Sequence, residues 1–558
     1  MRPAPTPAAA ALVFALACAG CPPSGGQGGG QAAGTTEGAA EGQDLTKSLR
    51  DQAPSDGEPR RGGTFAFGRG ADAVSLDPAD VTDGESVKVV TNVFDGLVVY
   101  EPGTTRVQPC LATSWTTSED GLTWTFELRE GVTFHDGTPL DAAAVAFSFE
   151  RQRDPAHPFH QGEFVYWHDQ FSFVTKVEVA GPRTVVFRLD RPFVPFLTSL
   201  AMFTASIVSP AAFEQARAAG KDPAHHPVGT GPFRFVEWRR GEAVVLEAFD
   251  GHWAGRPHLD RLVFRVVPDN NTRLALLRKG ELQAMDGVNL ADVAQVVAEA
   301  GVRVLGQPGM NVAYLALNCQ KAPFTDARVR RAVALALDRE RIARSLYYGL
   351  ATPARNPMPP TVWGHADGVA IPAPDREAAK ALLAEAGFAQ GLDTELWTMT
   401  NPRPYMPQPD KLAQYVKAAL AQVGIRVTIV PKEWASYLQE VQGGEHPMCF
   451  LGWTGDTGDP DNFLYVLLDR ENTKKGSASN YSFYTGEAVH EALVAARVER
   501  DPAARAALYA KAQEQIAADV PMVPLVHTTQ IALLGPKVRG YRLYPTGDVR
   551  LRGTWLAE

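Results

Sequence analysis

Cysteine is scarce in this chain: five of its 558 residues are cysteines, and two of them lie within the first 21 positions. The other three, Cys110, Cys319 and Cys449, are far apart in sequence and none belongs to a Cys-x-x-Cys pair. Structural zinc sites draw on such closely spaced pairs, so we expect no zinc site. One disulfide could form in an exported protein, but the sequence does not choose its two partners.

The chain also lacks an excess of positive charge and the common catalytic signatures. Its 54 Lys and Arg residues against 63 Asp and Glu residues give a net charge of −9, whereas a nucleic-acid partner requires a basic face. Neither Gly-x-Ser-x-Gly, nor His-Glu-x-x-His, nor a P-loop occurs, and no nucleophile lies in a convincing set with a base. We therefore predict no nucleic-acid partner, no catalytic residues and no enzyme activity.

Long hydrophobic runs are missing as well. After the N-terminus no segment reaches the roughly 18 uninterrupted apolar residues that a membrane-spanning helix needs. The nearest candidate, residues 196–208, contains two threonines and two serines. We expect this segment to be buried core.

The N-terminus has the features of an export signal. Arg2 precedes a short apolar stretch at 8–18, and the run Cys-Ala-Gly-Cys follows at 18–21. This arrangement resembles a bacterial lipoprotein signal at 1–21, in which the cysteine is lipidated and becomes the new N-terminus. We expect lipidation at Cys21. Cys18 is a second candidate, and an ordinary secretory signal is the alternative.

Residues 22–61 are rich in Gly, Ala, Gln, Ser and Glu, a composition with too few apolar residues to offset the entropy of ordering. They are expected to form a flexible tether between a lipid anchor and a globular body. The body is expected to begin near residue 62, with a first strand at Thr64.

The two parts of the body differ in pattern. Between residues 95 and 200, segments such as 123–128 and 183–189 alternate apolar and polar residues, which indicates strands. From residue 326 onwards helices are predicted after Asp326 and Asp375, and a third ends at Gly424 before a strand at 425–430. We expect Gly349 to end the helical region that Asp326 begins. Helix followed by strand, repeated, predicts an α/β fold.

The most informative stretch is FLGWTGDTGDPDNF at 450–463, which follows a short apolar run. Its glycines, at 452, 455 and 458, are expected to adopt positive φ and to let the backbone approach a ligand. Trp453 offers an apolar wall and Asp456 a charge, so the loop suits a small molecule with a cationic group. An acidic surface turn is the alternative.

Metal binding is not indicated in this stretch or elsewhere. Asp459 and Asp461 do not have the spacing of an EF-hand, so we expect them to stabilise the loop. The adjacent His225 and His226 cannot project together from one helix face. We predict no metal and no cofactor.

Several runs of residues carry a family resemblance. They are SLDP at 75–78, LATSW at 111–115, DGLTWTFELREGVTFHDG at 120–137, GTGPF at 229–233, NVAYLALN at 311–318, VRRAV at 329–333, GWTGD at 452–456 and DPDNF at 459–463. The match of which these runs are part spans nearly all of residues 62–558. They resemble family 5 of the extracytoplasmic solute-binding proteins, the peptide-binding proteins of ABC importers, and most closely its dipeptide-binding members.

The resemblance implies a two-lobed α/β periplasmic-binding-protein fold with a hinge and an additional strand-rich subdomain. Lobe I would comprise residues 62–95, 206–309 and 526–558, the inserted strand-rich subdomain 96–205, and lobe II 310–525. Ligand would close the lobes over a cleft.

The resemblance also implies roles for particular residues. Asp456, in GWTGD, would bind the peptide ammonium group, and Arg403, in NPRPY at 401–405, would bind the carboxylate. A zwitterion in a dry cleft needs both charges paired, and guanidinium can hold a carboxylate through two hydrogen bonds. Further ligand-binding candidates are Trp453, Gly455, Thr82 and Trp434.

The expected function is therefore delivery of short peptides, most simply dipeptides, to an ABC permease by a lipid-anchored monomer. Such a protein would lie on the periplasmic or outer side of the cytoplasmic membrane. Relatives with this fold bind haem, nickel complexes or sugars, so another small solute is an alternative. A secreted hydrolase and a peptide sensor are the remaining alternatives.

Overall fold

The computed structural model describes residues 49, 53–55, 57–369 and 372–558. The predicted signal at 1–21, with Cys18 and Cys21, lies outside the described residues, as does most of the predicted tether. The end of that tether, however, contacts the body, because Leu49 and Ala53 are both buried.

Twenty strands are assigned in the described residues. They are β1 (Thr64–Arg69), β2 (Val98–Tyr100), β3 (Val107–Pro109), β4 (Ala112–Thr117), β5 (Thr123–Leu128), β6 (Val174–Gly181), β7 (Thr184–Leu189), β8 (Phe233–Arg239), β9 (Ala243–Ala248), β10 (Arg261–Val266), β11 (Ala284–Met285), β12 (Arg303–Pro308), β13 (Asn311–Leu317), β14 (Ala351–Pro353), β15 (Leu392–Met399), β16 (Ile425–Lys432), β17 (Met448–Thr454), β18 (Met522–Leu534), β19 (Val538–Arg539) and β20 (Trp555–Leu556).

Fifteen α-helices are assigned in the same residues. They are α1 (Gly84–Val93), α2 (Ala142–Arg153), α3 (Val165–Gln170), α4 (Phe196–Ser199), α5 (Pro210–Ala218), α6 (Asn270–Arg278), α7 (Val293–Val297), α8 (Ala327–Ala336), α9 (Arg339–Leu346), α10 (Arg376–Glu385), α11 (Pro409–Ala421), α12 (Trp434–Gln442), α13 (Asp461–Leu468), α14 (Glu487–Val498) and α15 (Pro502–Asp519).

One large mixed sheet organises the body, in the order β16-β15-β17-β13-β18-β11-β1-β10-β9-β8, with β12 and β14 also paired to β18. Strands β15, β16 and β17 are parallel to one another, whereas β13 runs antiparallel to β17 and β18. On the other side, β1 is parallel to β10 and β11. With helices between its strands, this sheet confirms the predicted α/β class.

A second, antiparallel sheet is formed by β4, β5, β7 and β6. The predicted alternation at 123–128 is confirmed as β5, which buries Phe126 and Leu128 and pairs with β7. The segment at 196–208 is buried, as predicted, around Phe196 and Ile207. No helix in the described part of the chain is long and apolar enough to cross a membrane.

Three large hydrophobic clusters fill the body. One draws its residues from 310–526, a second from 79–207 around the small sheet, and a third joins residues near β1, β9 and β10 to the end of the chain. We call the regions around these clusters lobe II, the inserted subdomain and lobe I. The domain boundaries drawn from the sequence stay a prediction.

The backbone of the described chain passes between lobes I and II at two neighbouring places. One lies between β12 and β13, and the other lies within β18, which pairs with β13 and β14 up to Thr528 and with β12 from Thr529. The Asn311 side chain joins the two crossings: its Nδ2 donates to the Thr528 carbonyl at 3.1 Å, and its Oδ1 accepts from the Thr528 amide at 2.8 Å. These crossings are where a hinge would bend.

Two of the predicted helix starts are confirmed by side-chain caps. Asp326 accepts a hydrogen bond from the Arg328 amide at the start of α8, and Asp375 caps α10 in the same way. The helical region expected from Asp326 to Gly349 is present as two helices, α8 and α9, and Gly349 follows α9 with a positive φ. The Asp338 side chain accepts from the Arg341 amide and starts the separate helix α9.

Candidate functional site

The candidate ligand residues lie where three parallel strands end. Because β15, β16 and β17 run parallel, their carboxyl ends share one edge of the sheet, which is where α/β proteins commonly bind ligands. Arg403 lies in the loop after β15, Trp434 is the first residue of α12 after β16, and Asp456 follows β17 by two residues. The fold therefore gathers residues that are up to 53 positions apart in sequence.

The expected loop at 450–463 is shorter than its composition suggested. Strand β17 continues through Trp453 to Thr454, and α13 begins at Asp461, which leaves a turn of six residues at 455–460. The turn holds Asp456 between the end of a strand and the start of a helix.

The glycines of this stretch do not have the positive φ that was expected. They are needed because neighbouring side chains come close to the backbone. A Cβ on Gly452 would lie 2.2 Å from the Tyr405 ring, one on Gly455 would lie 2.7 Å from the Phe463 ring, and one on Gly458 would lie 2.1 Å from Thr105 Oγ1. Close packing against rings and the inserted subdomain, not backbone conformation, therefore selects glycine here.

Asp456 is held by neutral groups. The Asn462 side-chain oxygen accepts from the Asp456 amide at 2.9 Å and from Trp453 Nε1 at 3.1 Å, which fixes both residues relative to α13. Tyr166, on α3 of the inserted subdomain, donates its hydroxyl to Asp456 Oδ1 at 3.3 Å. No Lys, Arg or His of the described residues forms an ion pair with this carboxylate.

Burial raises the pKa of Asp456 to about 7, because a charged carboxylate loses its hydration there. The hydrogen bond from Tyr166 opposes this rise, and the nearby carboxylates of Asp169 and Asp548 add to it. An ammonium group beside Asp456 would lower this pKa and stabilise the charged form. The site thus contains a half-buried carboxylate without a cation beside it.

Arg403 offers the opposite charge to that of Asp456. Its guanidinium lies over the Trp434 ring, 3.5 Å from the ring centroid, and burial lowers its pKa. Its Nε is buried without a hydrogen-bond partner, and no carboxylate in the described ranges pairs with it. A cation stacked on an aromatic face with its donors unused suits a planar anion such as a carboxylate.

The two charged segments touch each other. The Tyr405 ring packs on Gly452, and the Tyr405 carbonyl accepts from the Tyr347 hydroxyl at 3.1 Å. Reciprocal backbone hydrogen bonds between Arg403 and Met406 close the turn that presents the guanidinium. The structure thus brings five of the predicted residues to one edge: Arg403, Trp434, Trp453, Gly455 and Asp456.

Thr82 forms no side-chain hydrogen bond with those five in the described chain, and its role in binding stays a prediction. It is exposed in the turn before Asp83, the N-cap of α1. The opposite wall of the site is instead contributed by Tyr166, which the sequence reasoning missed. Its only local signal is the aromatic pair Tyr166-Trp167, which reads equally well as core.

Lobe II meets the inserted subdomain across the cleft at further points. The Val194 amide donates to the Arg497 carbonyl at 2.8 Å, and the Arg500 guanidinium donates to the Glu119 carbonyl at 2.7 Å. Together with the Tyr166–Asp456 hydrogen bond, these contacts show a closed cleft.

The predicted structural role of the other two loop carboxylates is confirmed. Asp459 is buried and receives two hydrogen bonds from the Arg505 guanidinium, at 2.7 and 2.8 Å. Asp461 lies 3.2 Å from Arg497 Nε, and burial raises its pKa to about 6. Both carboxylates therefore have cations within the protein, in contrast to Asp456.

The three body cysteines are free thiols, so none of the pairings left open by the sequence is formed. Burial raises the pKa of the Cys319 thiol to about 11. Within the described ranges, no cluster of three or more His, Cys, Asp or Glu residues could hold a metal ion.

Comparison with known proteins identifies the family of this chain. The sequence model of the family described as bacterial extracellular solute-binding proteins, family 5 Middle, matches residues 106–475. The chain belongs to this family. It is therefore an extracellular solute-binding protein, and the resemblance stated from its sequence is confirmed.

Individual members of the family are similar over most of their length. The dipeptide-binding protein of Escherichia coli (strain K12) is 37% identical over 468 residues, which is 82% of this chain and 87% of that protein. Heme-binding protein A of Haemophilus influenzae is 36% identical over 513 residues, 89% of this chain and 93% of that protein.

Among solved structures, the ABC transporter-associated periplasmic binding protein of Helicobacter pylori in complex with peptide STSA aligns with a TM-score of 0.79. It is 37% identical and covers 90% of this chain and 99% of that chain. The two-lobed periplasmic-binding-protein fold is therefore confirmed.

Proposed function

We propose that this protein binds short peptides, most simply dipeptides, between its lobes, with Asp456 pairing with the ammonium group and Arg403 with the carboxylate. The observation that carries the proposal is the pair of unmatched charges at one sheet edge. The half-buried Asp456 carboxylate accepts a hydrogen bond from the neutral Tyr166 hydroxyl and has no cation beside it, while the Arg403 guanidinium has an unused buried donor. A zwitterion supplies both missing partners in one molecule.

The spacing of the two charges selects ligand length. Each added residue lengthens an extended peptide by about 3.3–3.6 Å, so fixed charges at both ends favour one length over others. The similarity to a dipeptide-binding protein at 37% identity supports a dipeptide. Trp453 and Trp434 then serve as apolar walls beside the two ends, and hydrated pockets accommodate varied side chains.

The bound peptide is then handed unchanged to an ABC permease, as expected for a substrate-binding component with no catalytic step of its own. Lipidation at Cys21 anchors the monomer to the outer side of the cytoplasmic membrane, and the tether lets the body reach the permease. The solved relative described as ABC transporter-associated supports this assignment.

Haem is the second candidate ligand, because a heme-binding protein is nearly as similar to the chain as the dipeptide-binding one. A flat porphyrin could lie between aromatic side chains such as Trp453 and Trp434. Titration of the protein with haemin, followed by its Soret absorbance, distinguishes this ligand from a peptide. Saturable haem binding that Ala-Ala does not displace would support a separate haem function.

A double-mutant cycle tests the two charge assignments. Calorimetry is run with Ala-Ala, N-acetyl-Ala-Ala and Ala-Ala-amide on the parent protein and on the Asp456→Asn and Arg403→Ala variants. Loss of one partner of a buried pair costs roughly 3–5 kcal/mol, which corresponds to at least about two orders of magnitude in affinity.

The interpretation rests on non-additivity. Acetylation of the peptide should add little further loss in Asp456→Asn, and amidation should add little in Arg403→Ala. Asp393→Asn is a matched control, since this exposed carboxylate is already paired with Arg426 and should leave affinity unchanged. Fully additive losses would contradict the assignment of Asp456 and Arg403 to the two ends.

A further inference from the structure

Leu49 is buried in an apolar pocket well before the first strand of the body. It is 9% exposed and packs with Val293 and Leu350 in a small hydrophobic cluster of its own. A Cβ on Gly306 of β12 would lie 2.4 Å from Leu49 Cδ1, so this glycine makes room for the leucine. A residue from the predicted flexible tether therefore has a fitted place on the body.

The pocket is formed by both lobes. Val293 of α7 and Gly306 of β12 belong to lobe I, whereas Leu350, just before β14, belongs to lobe II. The Leu350 carbonyl accepts from the Thr529 amide at 2.9 Å, at the point where β18 crosses between the lobes. Leu49 thus contacts both lobes beside the hinge.

Ala53 and Pro54 are hydrogen-bonded to lobe I. The Ala53 amide donates to the Tyr541 carbonyl at 2.8 Å, and the Gly540 amide donates to the Pro54 carbonyl at 3.0 Å. Ala53 is buried as well. We call this segment, described at residues 49 and 53–55, the arm; it is attached to lobe I and reaches lobe II through one apolar side chain.

We propose that the groove beside the hinge is a docking site for the arm, and that Leu49 in this groove favours the closed arrangement of the lobes. Opening moves Leu350 relative to Val293 and Gly306, which exposes apolar surface that Leu49 now covers. Through Leu49, the arm therefore influences whether the cleft is open or closed. This coupling does not depend on which solute the cleft binds.

Hydrogen exchange of the Val194 amide measures closure directly, because this amide donates to the Arg497 carbonyl across the cleft. The full-length exported protein is compared with Leu49→Ala without added ligand. We expect exchange at Val194 to become about threefold to tenfold faster in the variant, as apolar burial that favours closure is lost. Saturating Ala-Ala should slow exchange again in both proteins.

Leu382→Ala is the matched control, because Leu382 is a partly buried leucine packed within lobe II only. It should leave exchange at Val194 unchanged. Equal exchange in the parent and Leu49→Ala would overturn the proposal, and so would equal acceleration by Leu49→Ala and Leu382→Ala, which would indicate general loosening. Failure of Ala-Ala to protect Val194 would count against the peptide function and leave the ligand-free comparison intact.

Discussion

At the scale of single residues, Asp456 differs from the other carboxylates of its loop. The carboxylates of Asp459 and Asp461 have Arg505 and Arg497 as partners, whereas that of Asp456 accepts from the Tyr166 hydroxyl and has a pKa of about 7. A carboxylate that is costly to ionise in the free protein is well suited to recognise a cation. Its charge then depends on the ligand.

Peptide affinity should accordingly have a bell-shaped dependence on pH. Below pH about 7 the free protein must release a proton from Asp456 before pairing, so affinity should fall by up to about tenfold per pH unit. Above pH about 8 the peptide amine loses its own proton. Calorimetry with Ala-Ala from pH 5 to 9 checks this, and Asp456→Asn should abolish the acid limb. An acid limb that persists in the variant would assign it to another group.

The same shift affects the stability of the ligand-free protein in the opposite direction. Because the folded-state pKa of Asp456 is raised, its stabilising contribution is present below pH about 4 and is lost as pH rises through about 7. Thermal unfolding should show the parent losing stability relative to Asp456→Asn over this window. Between pH about 4 and 7, a rise in pH should therefore strengthen peptide binding through Asp456 and weaken the stability of the ligand-free protein.

Tyr166→Phe provides a finer test of the same site. The change keeps the ring that packs edge-on against Phe203 and removes only the hydroxyl that donates to Asp456 Oδ1. A hydrogen bond to a charged group is worth about 1.5–3 kcal/mol, so the pKa of Asp456 should rise by about one unit or more. The acid limb of Ala-Ala binding should move to higher pH by that amount. An unmoved limb would show that the hydroxyl does not reach Asp456 in solution.

At the scale of elements, the site depends on close packing between the loop after β15 and the strand β17. Gly452→Ala should force the Tyr405 ring away from the strand and displace the turn that carries Arg403. Overpacking of this kind costs about 1–3 kcal/mol. The unfolding temperature should fall, and Ala-Ala affinity should weaken with it.

Gly301→Ala is the control for this change, since its Cβ would meet no atom within 4 Å and its φ is not positive. Its stability should stay within about 0.5 kcal/mol of the parent. A Gly452→Ala protein as stable as the control would show that the packing against Tyr405 can relax without loss.

Sequence patterns predicted the helices and strands well, but they did not predict why particular positions require their residue. Asp326 and Asp375 were identifiable as caps because their hydrogen bonds are local, and the alternation at 123–128 directly predicted β5. Gly452, Gly455 and Gly458 were assigned positive φ, although what selects glycine there is the closeness of Tyr405, Phe463 and Thr105. Such neighbours arise from tertiary packing, which periodicity does not encode.

The residues of the candidate site were likewise predicted only in part. Arg403 and Asp456 were found through a motif resemblance, and their common sheet edge follows from the parallel order of β15, β16 and β17. Tyr166 was missed because it comes from another lobe, 290 positions away from Asp456. Leu49 was missed because the composition around it indicates a flexible tether, whereas its pocket is formed by residues from both lobes.

At the scale of the whole molecule, the proposed lipid anchor and the closure of the cleft lead to separate predictions. Cys21→Ser should release the protein from membranes into the soluble extracytoplasmic fraction, because the acyl chains that hold it would no longer be attached. Cell fractionation and immunoblotting measure the result. Cys319→Ser is the control and should stay membrane-bound. Retention of Cys21→Ser on membranes would point to Cys18 or to another mode of attachment.

Full closure of the cleft should require a bound ligand. The hydrogen bonds across the cleft of the described chain are few: the Tyr166–Asp456 bond is long at 3.3 Å, and Arg500 lies at the exposed surface. We therefore expect these bonds alone to favour the closed form only weakly. A bound peptide should add the proposed charge pairs with Asp456 and Arg403 and so shift the population towards the closed form.

Small-angle scattering should therefore show a smaller radius of gyration when Ala-Ala is added. Asn311→Ala should enlarge the ligand-free radius, because it removes the side chain that holds the two crossings together and leaves the buried Thr528 amide and carbonyl without that partner. Saturating peptide should restore most of the contraction, since its proposed charge pairs with Asp456 and Arg403 do not use the Asn311 side chain. An unchanged radius in the parent protein, with binding confirmed by calorimetry, would mean that the peptide enters a cleft that is already closed, and the hinge at Asn311 and Thr528 would then have no part in capture.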